Sequence, residues 1–502
     1  MSYALTFFLF LATILQLSAE KRPNILWIFS EDLSPYMGCY DDPINKGFTP
    51  VIDQFAKDGV LFKRAFVPAP VCSACRSAMI TGVMQTTTGT HQHRSSRWTD
   101  GQIVPEHTRI HLPEGIKTIP ELMREAGYFT FNSGKDDYNF HYDRTKLYTV
   151  GSRDDYKVGQ NGWQGNRAQH NMSLTEDTWN ARPDKSQPWF GQIEIKGGKA
   201  GTRYTRKGQV LKTNEVPLPP YFPDTPALRK AWTTHYNAAR GSDVRVEAIL
   251  KQLEADGELE NTIVFFFSDH GNNQSLRHKQ FCYEGGVHVP FMIKGNHPAL
   301  KAGTVRKELV NALDIPATTL AFGKVPLPDY LDGQNLFGES YKPVDHVVSA
   351  RDRCDYTIDR IRTVRTDKLR YIRNYYLDRP LLQAQYRDNR KEVIEFKEAR
   401  DAGKLTDYQK THWFGPRPKE ELYDIAADPH QINNLADDPK YAAELKRHRE
   451  LLETWMKRTG DKGQYPEDVK QLKATYDLWK TRPIFSNAKV NPEYDQFKKE
   501  KK

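Results

Sequence analysis

Two short apolar runs stand out along the chain, and each has the length of one buried strand. They cover residues 24–29 and 262–267. Helical patterns lie between them at residues 118–126 and 243–253, and each of these ends near a glycine. Unbroken apolar strands separated by helices are typical of an α/β domain. The pattern therefore predicts a large, mostly parallel central sheet flanked by helices.

The pattern changes after residue 340. Residues 361–365 and 369–373 alternate apolar and basic side chains around the turn 366–368, which predicts a hairpin with one polar face. A helix is expected from about residue 441 to residue 456. We therefore expect a main domain over residues 20–340, a smaller C-terminal α+β subdomain over 341–460, and a helical, basic tail over 461–502.

The first residues have the pattern of an export signal. An apolar run over residues 3–17 ends in the small residues Ser18 and Ala19, which predicts a signal peptide over residues 1–19. The run is shorter than the roughly 20 apolar residues that a membrane span needs. We therefore expect a periplasmic or secreted protein without a membrane span.

Charge and cysteine content narrow the range of partners. The chain has 502 residues, 27% of them charged, and a net charge of +9, which favours an anionic partner. Its basic residues are spread along the sequence rather than gathered in a stripe, so a nucleic acid is not expected. The five cysteines are an odd number for an exported protein, so at least one thiol has another fate. Cys72 is the candidate.

Acidic residues and one histidine follow the two apolar runs. Glu31 and Asp32 come after the first, and Asp269 and His270 come after the second. In open α/β sheets, ligands bind beyond the carboxyl ends of the strands. A hard divalent cation held by carboxylates is one way to bind a substrate anion there. The alternative is that these acids only cap helices or turns.

Three basic residues suit the binding of an anion beside such a cation. Lys135 follows an apolar strand pattern, and Lys279 precedes a glycine-rich segment. Arg76 lies four residues after Cys72, on the same face if a helix begins there, and is expected to hold residue 72 by hydrogen bonds. The free amides at the start of that helix would also point towards an anion.

Several motifs together resemble those of the type I sulfatases of the alkaline phosphatase superfamily. They are C-x-A-x-R at residues 72–76, G-K at 134–135, S-D-H-G at 268–271, K-x-x-x-Y-E-G-G at 279–286 and L-Y-D to N-L-A at 422–436. The resemblance implies an alkaline phosphatase-like fold and hydrolysis of sulfate from a sulfated glycan. It also implies that a maturation enzyme oxidises Cys72 to formylglycine, whose hydrate attacks sulfur and forms a covalent sulfate intermediate. The implied ligands of one calcium ion are Glu31, Asp32, Asp269, His270 and the modified Cys72.

The chain departs from the family pattern at two histidines. Asp137 stands in the slot of one, and Lys199 in the slot of the other. We therefore expect the leaving-group proton to come from Lys199 or His278. His91 and His93, which follow the cysteine motif, are the alternatives. These two histidines and Asp137 are also expected to contact the substrate.

The substrate is the least specified part of the sequence. Arg351, Arg353 and Asp355 resemble a branch often compared with heparan N-sulfatases, in which they would face the pocket and bind a uronate, a second sulfate or sugar hydroxyls. Two other functions stay open: a phosphatase or phosphodiesterase on the same scaffold, and an inactive glycan-binding protein.

Overall fold

The computed structural model describes residues 21–94, 109–150, 178–486 and 488–498. The expected signal peptide lies outside these residues. Among the described helices, none combines the length and the apolar character needed to cross a bilayer.

The described strands form two sheets. In chain order the strands are β1 Asn24–Ser30, β2 Val60–Phe66, β3 Phe129–Ser133, β4 Trp189–Ile195, β5 Thr262–Ser268, β6 His288–Lys294, β7 Thr304–Asn311, β8 Val347–Arg351, β9 Ile361–Arg365, β10 Leu369–Asn374 and β11 Glu420–Asp424. The helices are α1 Pro50–Lys57, α2 Cys72–Thr81, α3 Gln85–Thr88, α4 Ile119–Glu125, α5 Arg144–Leu147, α6 Pro226–Ala255, α7 Glu284–Val287, α8 Asp314–Phe322, α9 Lys391–Asp401, α10 Asp407–Phe414, α11 Ala442–Thr459, α12 Val469–Trp479, α13 Pro483–Ser486 and α14 Asp495–Lys498.

The main sheet has the strand order β3-β4-β1-β5-β6-β2-β7. Its pairs are parallel except for those that β6 makes with β5 and β2. Every residue of β1 and β5 is buried, because both strands lie inside the sheet and are covered on both faces. This burial accounts for their unbroken apolar sequences, and the predicted fold class is confirmed.

The structure matches one of the two predicted helices more closely than the other. The helix predicted at residues 118–126 is α4, and the sequence defines its start because Thr118 and Glu121 form a capping box there. The second predicted helix is only the end of α6, which has 30 residues. The first half of α6 buries polar residues such as His235 and Arg240 together with apolar ones, so it lacks the one-sided stripe that a pattern search finds.

The predicted hairpin forms from β9 and β10, within the antiparallel sheet β11-β10-β9-β8. Three of the four arginines on this hairpin, Arg362, Arg365 and Arg370, are buried, and Arg373 is half-buried. Arg362 is fully buried and donates hydrogen bonds to Asp461 (2.8 and 2.9 Å) and Asp352 (3.1 Å). Arg370 donates to Glu284 (2.9 and 3.0 Å). Carboxylates from outside the hairpin thus take the place of water.

The C-terminal segment, described over residues 461–486 and 488–498, packs against Tyr356, which lies between β8 and β9. The tail was predicted to be helical, and its described part contains α12, α13 and α14. Trp479 and Phe485 contact Tyr356 edge-on, with ring centroids 5.0 and 5.1 Å apart. The basic end beyond residue 498 lies outside the described residues, and the domain boundaries stay predictions.

Arg362 should be one of the most sensitive positions for stability. Arg362→Met leaves Asp461 and Asp352 buried without their cation, so we expect the free energy of unfolding to fall by about 3–5 kcal/mol. Arg447→Met is a control, since the Arg447 side chain is 49% exposed and should change that free energy by about 0.5 kcal/mol or less. Urea unfolding followed by tryptophan fluorescence measures both. Equal effects of the two variants would contradict the importance of the buried network.

Candidate active site

The acidic residues after β1 and β5 meet because these two strands are parallel neighbours. Ser30 and Ser268, their last residues, lie opposite each other in the register, so the following residues leave the same edge of the sheet side by side. The amide of Asp32 donates to Asp269 Oδ1 (2.8 Å), and His270 Nε2 lies 3.0 Å from Asp32 Oδ1. The edge predicted from the sequence therefore holds these groups within hydrogen-bond distance of one another.

Cys72 reaches this edge as the first residue of α2. Its Sγ lies 3.2 Å from His270 Nε2 and 3.7 Å from Asp32 Oδ1. Potential ligand atoms of Cys72, Asp32, Asp269 and His270 all lie within 4.8 Å of one another, and all four residues are buried. These four predicted residues form one polar centre.

Three lysines surround the centre. Lys279 Nζ contacts Asp32 (3.1 and 3.2 Å) and Cys72 Sγ (3.1 Å). Lys135 Nζ donates to Glu31 Oε1 (2.7 Å), and Lys199 Nζ donates to the same oxygen. Glu31, the fifth predicted metal ligand, is therefore held by two lysines and lies outside the group of four potential ligands.

The lysines set the charge state of the centre. Burial raises the pKa of Asp32, but Lys199 and Lys279 outweigh it and hold that pKa well below its usual range. In the same way, Lys135 and Lys199 outweigh burial and lower the pKa of Glu31 to about 2. Both carboxylates therefore stay ionised although water is excluded.

Two glycines allow the lysine-bearing loops to come this close. A Cβ at Gly134 would lie 2.5 Å from Cβ of Glu194, so a larger residue would push the loop after β3 away. Gly197 has φ +44°, and a Cβ there would lie 2.2 Å from the carbonyl oxygen of Glu31. Lys199 follows two residues later.

Arg76 lies beneath the centre and pairs with carboxylates. Its Nε donates to Asp269 Oδ2 (3.1 Å), and its Nη1 donates to Glu194 Oε2 (3.1 Å) and the carbonyl of Lys135 (2.9 Å). Among the described residues, Nη2 has no hydrogen-bond partner. The predicted contact of Arg76 with the modified Cys72 stays a prediction.

Sequence reasoning missed Glu194. It lies near the end of β4, opposite Phe29 of β1, and is buried. Burial raises its pKa to about 8 although Arg76 opposes the shift. The available signal was a lone acidic residue in a mostly apolar strand.

His93 and Asp355 form a buried pair, and Cys72 is among the groups that act on His93. His93 Nδ1 lies 3.3 Å from Asp355 Oδ2, and both side chains are buried. Burial lowers the pKa of His93, whereas the negative charge of Asp355, together with Cys72, acts against that shift. This placement supports a role for His93 at the centre.

His278 lies in a different environment. Its ring contacts Trp232 edge-on (5.5 Å between centroids), and its nitrogens lie 3.3 Å from Tyr221 Oη and 3.5 Å from Ser34 Oγ. Burial holds its pKa well below the usual range, so the ring is neutral and a weak proton donor candidate. Lys199, at the carboxylates, is better placed for that role.

The remaining candidates are held by other groups. Arg353 donates to both oxygens of Glu467 (2.6 and 2.7 Å), and Arg351 lies 3.5 Å from Asp359 Oδ2. Asp137 pairs with Lys135 (2.8 Å). His91 is buried, with Asp352, Arg362 and Asp461 among the charges around it. Their predicted contacts with substrate stay predictions.

A family model and two curated relatives of this chain agree on one family. A model of the family named Sulfatase matches residues 23–324. An ulvan-active sulfatase from Formosa agariphila is 30% identical over 95% of this chain and 81% of its own length. Human N-sulphoglucosamine sulphohydrolase is 25% identical over 90% of this chain and 93% of its own.

This chain belongs to the sulfatase family. It is therefore a sulfatase-family hydrolase, as the motifs predicted. A solved phosphonate monoester hydrolase from Silicibacter pomeroyi has a TM-score of 0.58 at 15% identity, covering 88% of this chain and 96% of its own. At that identity the likeness shows the fold alone, so the scaffold does not by itself decide between sulfate and phosphorus esters.

The centre of this sulfatase fits a divalent cation by its donor set. Asp32 and Asp269 offer hard carboxylate oxygens, which calcium prefers, and His270 adds one nitrogen. Burial lowers the pKa of His270, but Asp269 and Asp32 outweigh it and raise that pKa to about 10. The ring thus takes up a proton to balance the carboxylates, and a bound cation could take that proton's place.

The thiol of unmodified Cys72 should be ionised at neutral pH. Burial raises its pKa, but Lys135, Lys279, His270 and Lys199 outweigh it and hold the pKa well below its usual range. In metal-free protein made without a maturation enzyme, we expect ultraviolet thiolate absorbance to persist well below about pH 8, the usual range of a cysteine pKa.

Cys72→Ala is the control for this titration and should remove the signal. Burial raises the pKa of Cys282 and Cys354 to about 12, so these thiols stay protonated. Thiolate absorbance that appears only near about pH 8.5 would contradict the assignment.

Proposed function

We propose that this protein hydrolyses sulfate esters or N-sulfates of a sulfated glycan, with formylglycine at position 72 as its nucleophile. The observation that carries the proposal is the position of Cys72, at a helix start and in contact with the carboxylate centre and Lys279. The names of the two relatives, an ulvan-active sulfatase and an N-sulphoglucosamine sulphohydrolase, support a sulfated saccharide as substrate.

The Cys72 sulfur stands in for a hydroxyl oxygen of hydrated formylglycine. Surroundings that hold the thiol pKa low would also stabilise an ionised hydroxyl there, because the same positive charges act on it. We infer that Lys279, 3.1 Å from the sulfur, stabilises the attacking oxygen.

We infer that Asp32, Asp269, His270 and the oxygen on residue 72 would hold one calcium ion, with Glu31 as a further ligand. The ion would supply positive charge opposite the sulfate oxygens. Lys135 and Lys199 keep Glu31 ionised, so they maintain the negative charge that attracts the cation. Arg76 orients Asp269 through the bond from its Nε.

The reaction has two covalent steps. One hydroxyl of the hydrated formylglycine loses its proton, and its oxygen bonds to sulfur while the bond from sulfur to the glycan oxygen or nitrogen breaks. The leaving atom takes up a proton. The second hydroxyl then loses its proton and forms the aldehyde carbonyl, and sulfate leaves with the electrons of the broken carbon–oxygen bond. Water rehydrates the aldehyde.

Lys199 is our candidate for the proton donor to the leaving group. Its side chain is 34% exposed, compared with 4% for Lys135 and 3% for Lys279, so a substrate can reach it from solvent. Asp32 and Glu31 outweigh burial and raise its pKa, which keeps it protonated. A cation bound to Asp32 would weaken that effect and make its proton easier to release.

The signal pattern at residues 1–19 supports export to the periplasm or outside the cell. The modification further requires a formylglycine maturation enzyme as a partner during biosynthesis. A nucleic acid is not part of this proposal.

Co-expression with a maturation enzyme should convert Cys72 and give an active sulfatase. Mass spectrometry of its peptide should show the thiol replaced by an aldehyde, and sulfate should be released from some member of a panel of O- and N-sulfated disaccharides. Cys72→Ala should abolish release, whereas Cys75→Ala, which loses a neighbouring buried thiol, should keep it. Faster cleavage of matched phosphate esters would favour a phosphatase. Glycan binding without modification or sulfate release would favour a binding protein.

Removing the Lys199 amine should matter most for poor leaving groups. Lys199→Ala should lower kcat/KM for the glycan sulfate by about 100-fold or more, the usual size of general acid catalysis. An aryl sulfate, whose leaving group needs less protonation, should lose less. His278→Gln should have little effect on either substrate. If both variants stay near wild type, or if Lys199→Ala affects both substrates equally, the assignment is wrong.

A further inference from the structure

Arg94 lies at the active site and has no part in the mechanism above. Its amide donates to Ser73 Oγ (3.2 Å), which ties its backbone to the residue after Cys72. It directly follows His93, whose ring is among the groups on which Cys72 acts. The negative charge of Cys72 is also among those that act on the Arg94 guanidinium. The side chain is therefore within electrostatic reach of the reacting centre.

The guanidinium of Arg94 has binding capacity left over. Its Nη1 pairs with Asp355 Oδ1 (3.3 Å), whereas its Nε is buried and has no hydrogen-bond partner among the described residues. The side chain is 21% exposed, compared with 2% for Arg351 and 1% for Arg353. Arg353 is held by Glu467. Of these three arginines, Arg94 is thus the one that a substrate anion can reach.

Asp355 fixes the position of Arg94. One of its carboxylate oxygens faces Arg94 and the other faces His93, each at 3.3 Å. Its backbone has φ +50°, a region that a non-glycine residue rarely adopts. Asp355 therefore acts as a positioning residue that orients two side chains beside Cys72.

An aromatic ring adjoins Arg94. The guanidinium carbon lies 5.8 Å from the ring centroid of Tyr386, and Tyr386 is also among the groups that act on Lys279. Tyr386 is half-buried, and an aromatic face of this kind offers an apolar surface for a sugar ring. Two cations of the site, Arg94 and Lys279, are thus in the surroundings of this ring.

We propose that Arg94 binds a second anionic group of the substrate, a carboxylate or a second sulfate, while Tyr386 contacts the sugar ring. The planar guanidinium presents donors in a fork that matches such groups. This proposal rests on the proposed function and names Arg94, not Arg351 or Arg353, as the residue that selects a saccharide with more than one negative charge.

Steady-state kinetics on matched disaccharides test the proposal. Three substrates share the reacting sulfate: one has no other charge, one has a uronate carboxylate and one has a second sulfate. Wild type should prefer at least one of the doubly charged substrates. Arg94→Gln should reduce that preference by about 10- to 100-fold, mainly through KM, because a charge-assisted hydrogen bond is lost. Arg94→Lys should restore part of it. Which substrate loses the preference identifies the anion as carboxylate or sulfate.

Arg229→Gln is the matched control. Arg229 is a partly exposed arginine that also pairs with a single carboxylate, Asp224, and its loss should leave the preference unchanged. Equal losses on all three substrates in Arg94→Gln, or no preference in wild type, would overturn the proposal.

If no substrate releases sulfate, the proposed function fails, and calorimetry then tests Arg94 separately. The doubly charged disaccharides are titrated into Cys72→Ala protein with and without Arg94→Gln. Binding that weakens by about 10-fold or more without the guanidinium supports the proposal. Absent or unchanged binding overturns it.

Discussion

The gathering of carboxylates at one buried edge of the sheet is the constraint on which the rest of the site depends. Glu31, Asp32 and Asp269 are nearly inaccessible to water, and burying uncompensated charges at this density would cost many kcal/mol. Lys135, Lys199, Lys279 and Arg76 supply the compensation, each from a different part of the chain. Gly134 and Gly197, which precede two of these lysines, and the position of α2, which carries Arg76, allow these cations to reach the carboxylates.

Buried carboxylates are also paired with cations in the C-terminal region, where the cations are arginines instead of lysines. Arg362 and Arg370 are buried in the second sheet against carboxylates from distant segments. One of these, Asp461, comes from the start of the C-terminal segment, and Glu467 of that segment holds Arg353. Arg353 in turn donates to the carbonyl of Asp355. The C-terminal segment is thus linked by buried ion pairs to the residues beside Cys72.

The accuracy of the sequence predictions follows from how locally each feature is encoded. The strands β1 and β5 could be found because burial on both faces leaves unbroken apolar runs, and α4 because its capping box is written in Thr118 and Glu121. The first half of α6 could not be found in this way, because it buries polar side chains together with apolar ones and so lacks a one-sided apolar stripe. The burial of the hairpin arginines could not be predicted either, because their partners lie far away in the sequence.

The sequence by itself determined the family, the position of the motif cysteine Cys72 and the strand-end acids, because these depend on short motifs and on the period of local structure. Only the tertiary structure decided which charges meet. Lys199 and Lys135 share Glu31, His278 lies among aromatic rings, Arg353 is held by Glu467, and Arg94 keeps donors available. A sequence lists the charges, but their pairing depends on the distances between distant segments, and those distances exist only in the folded chain.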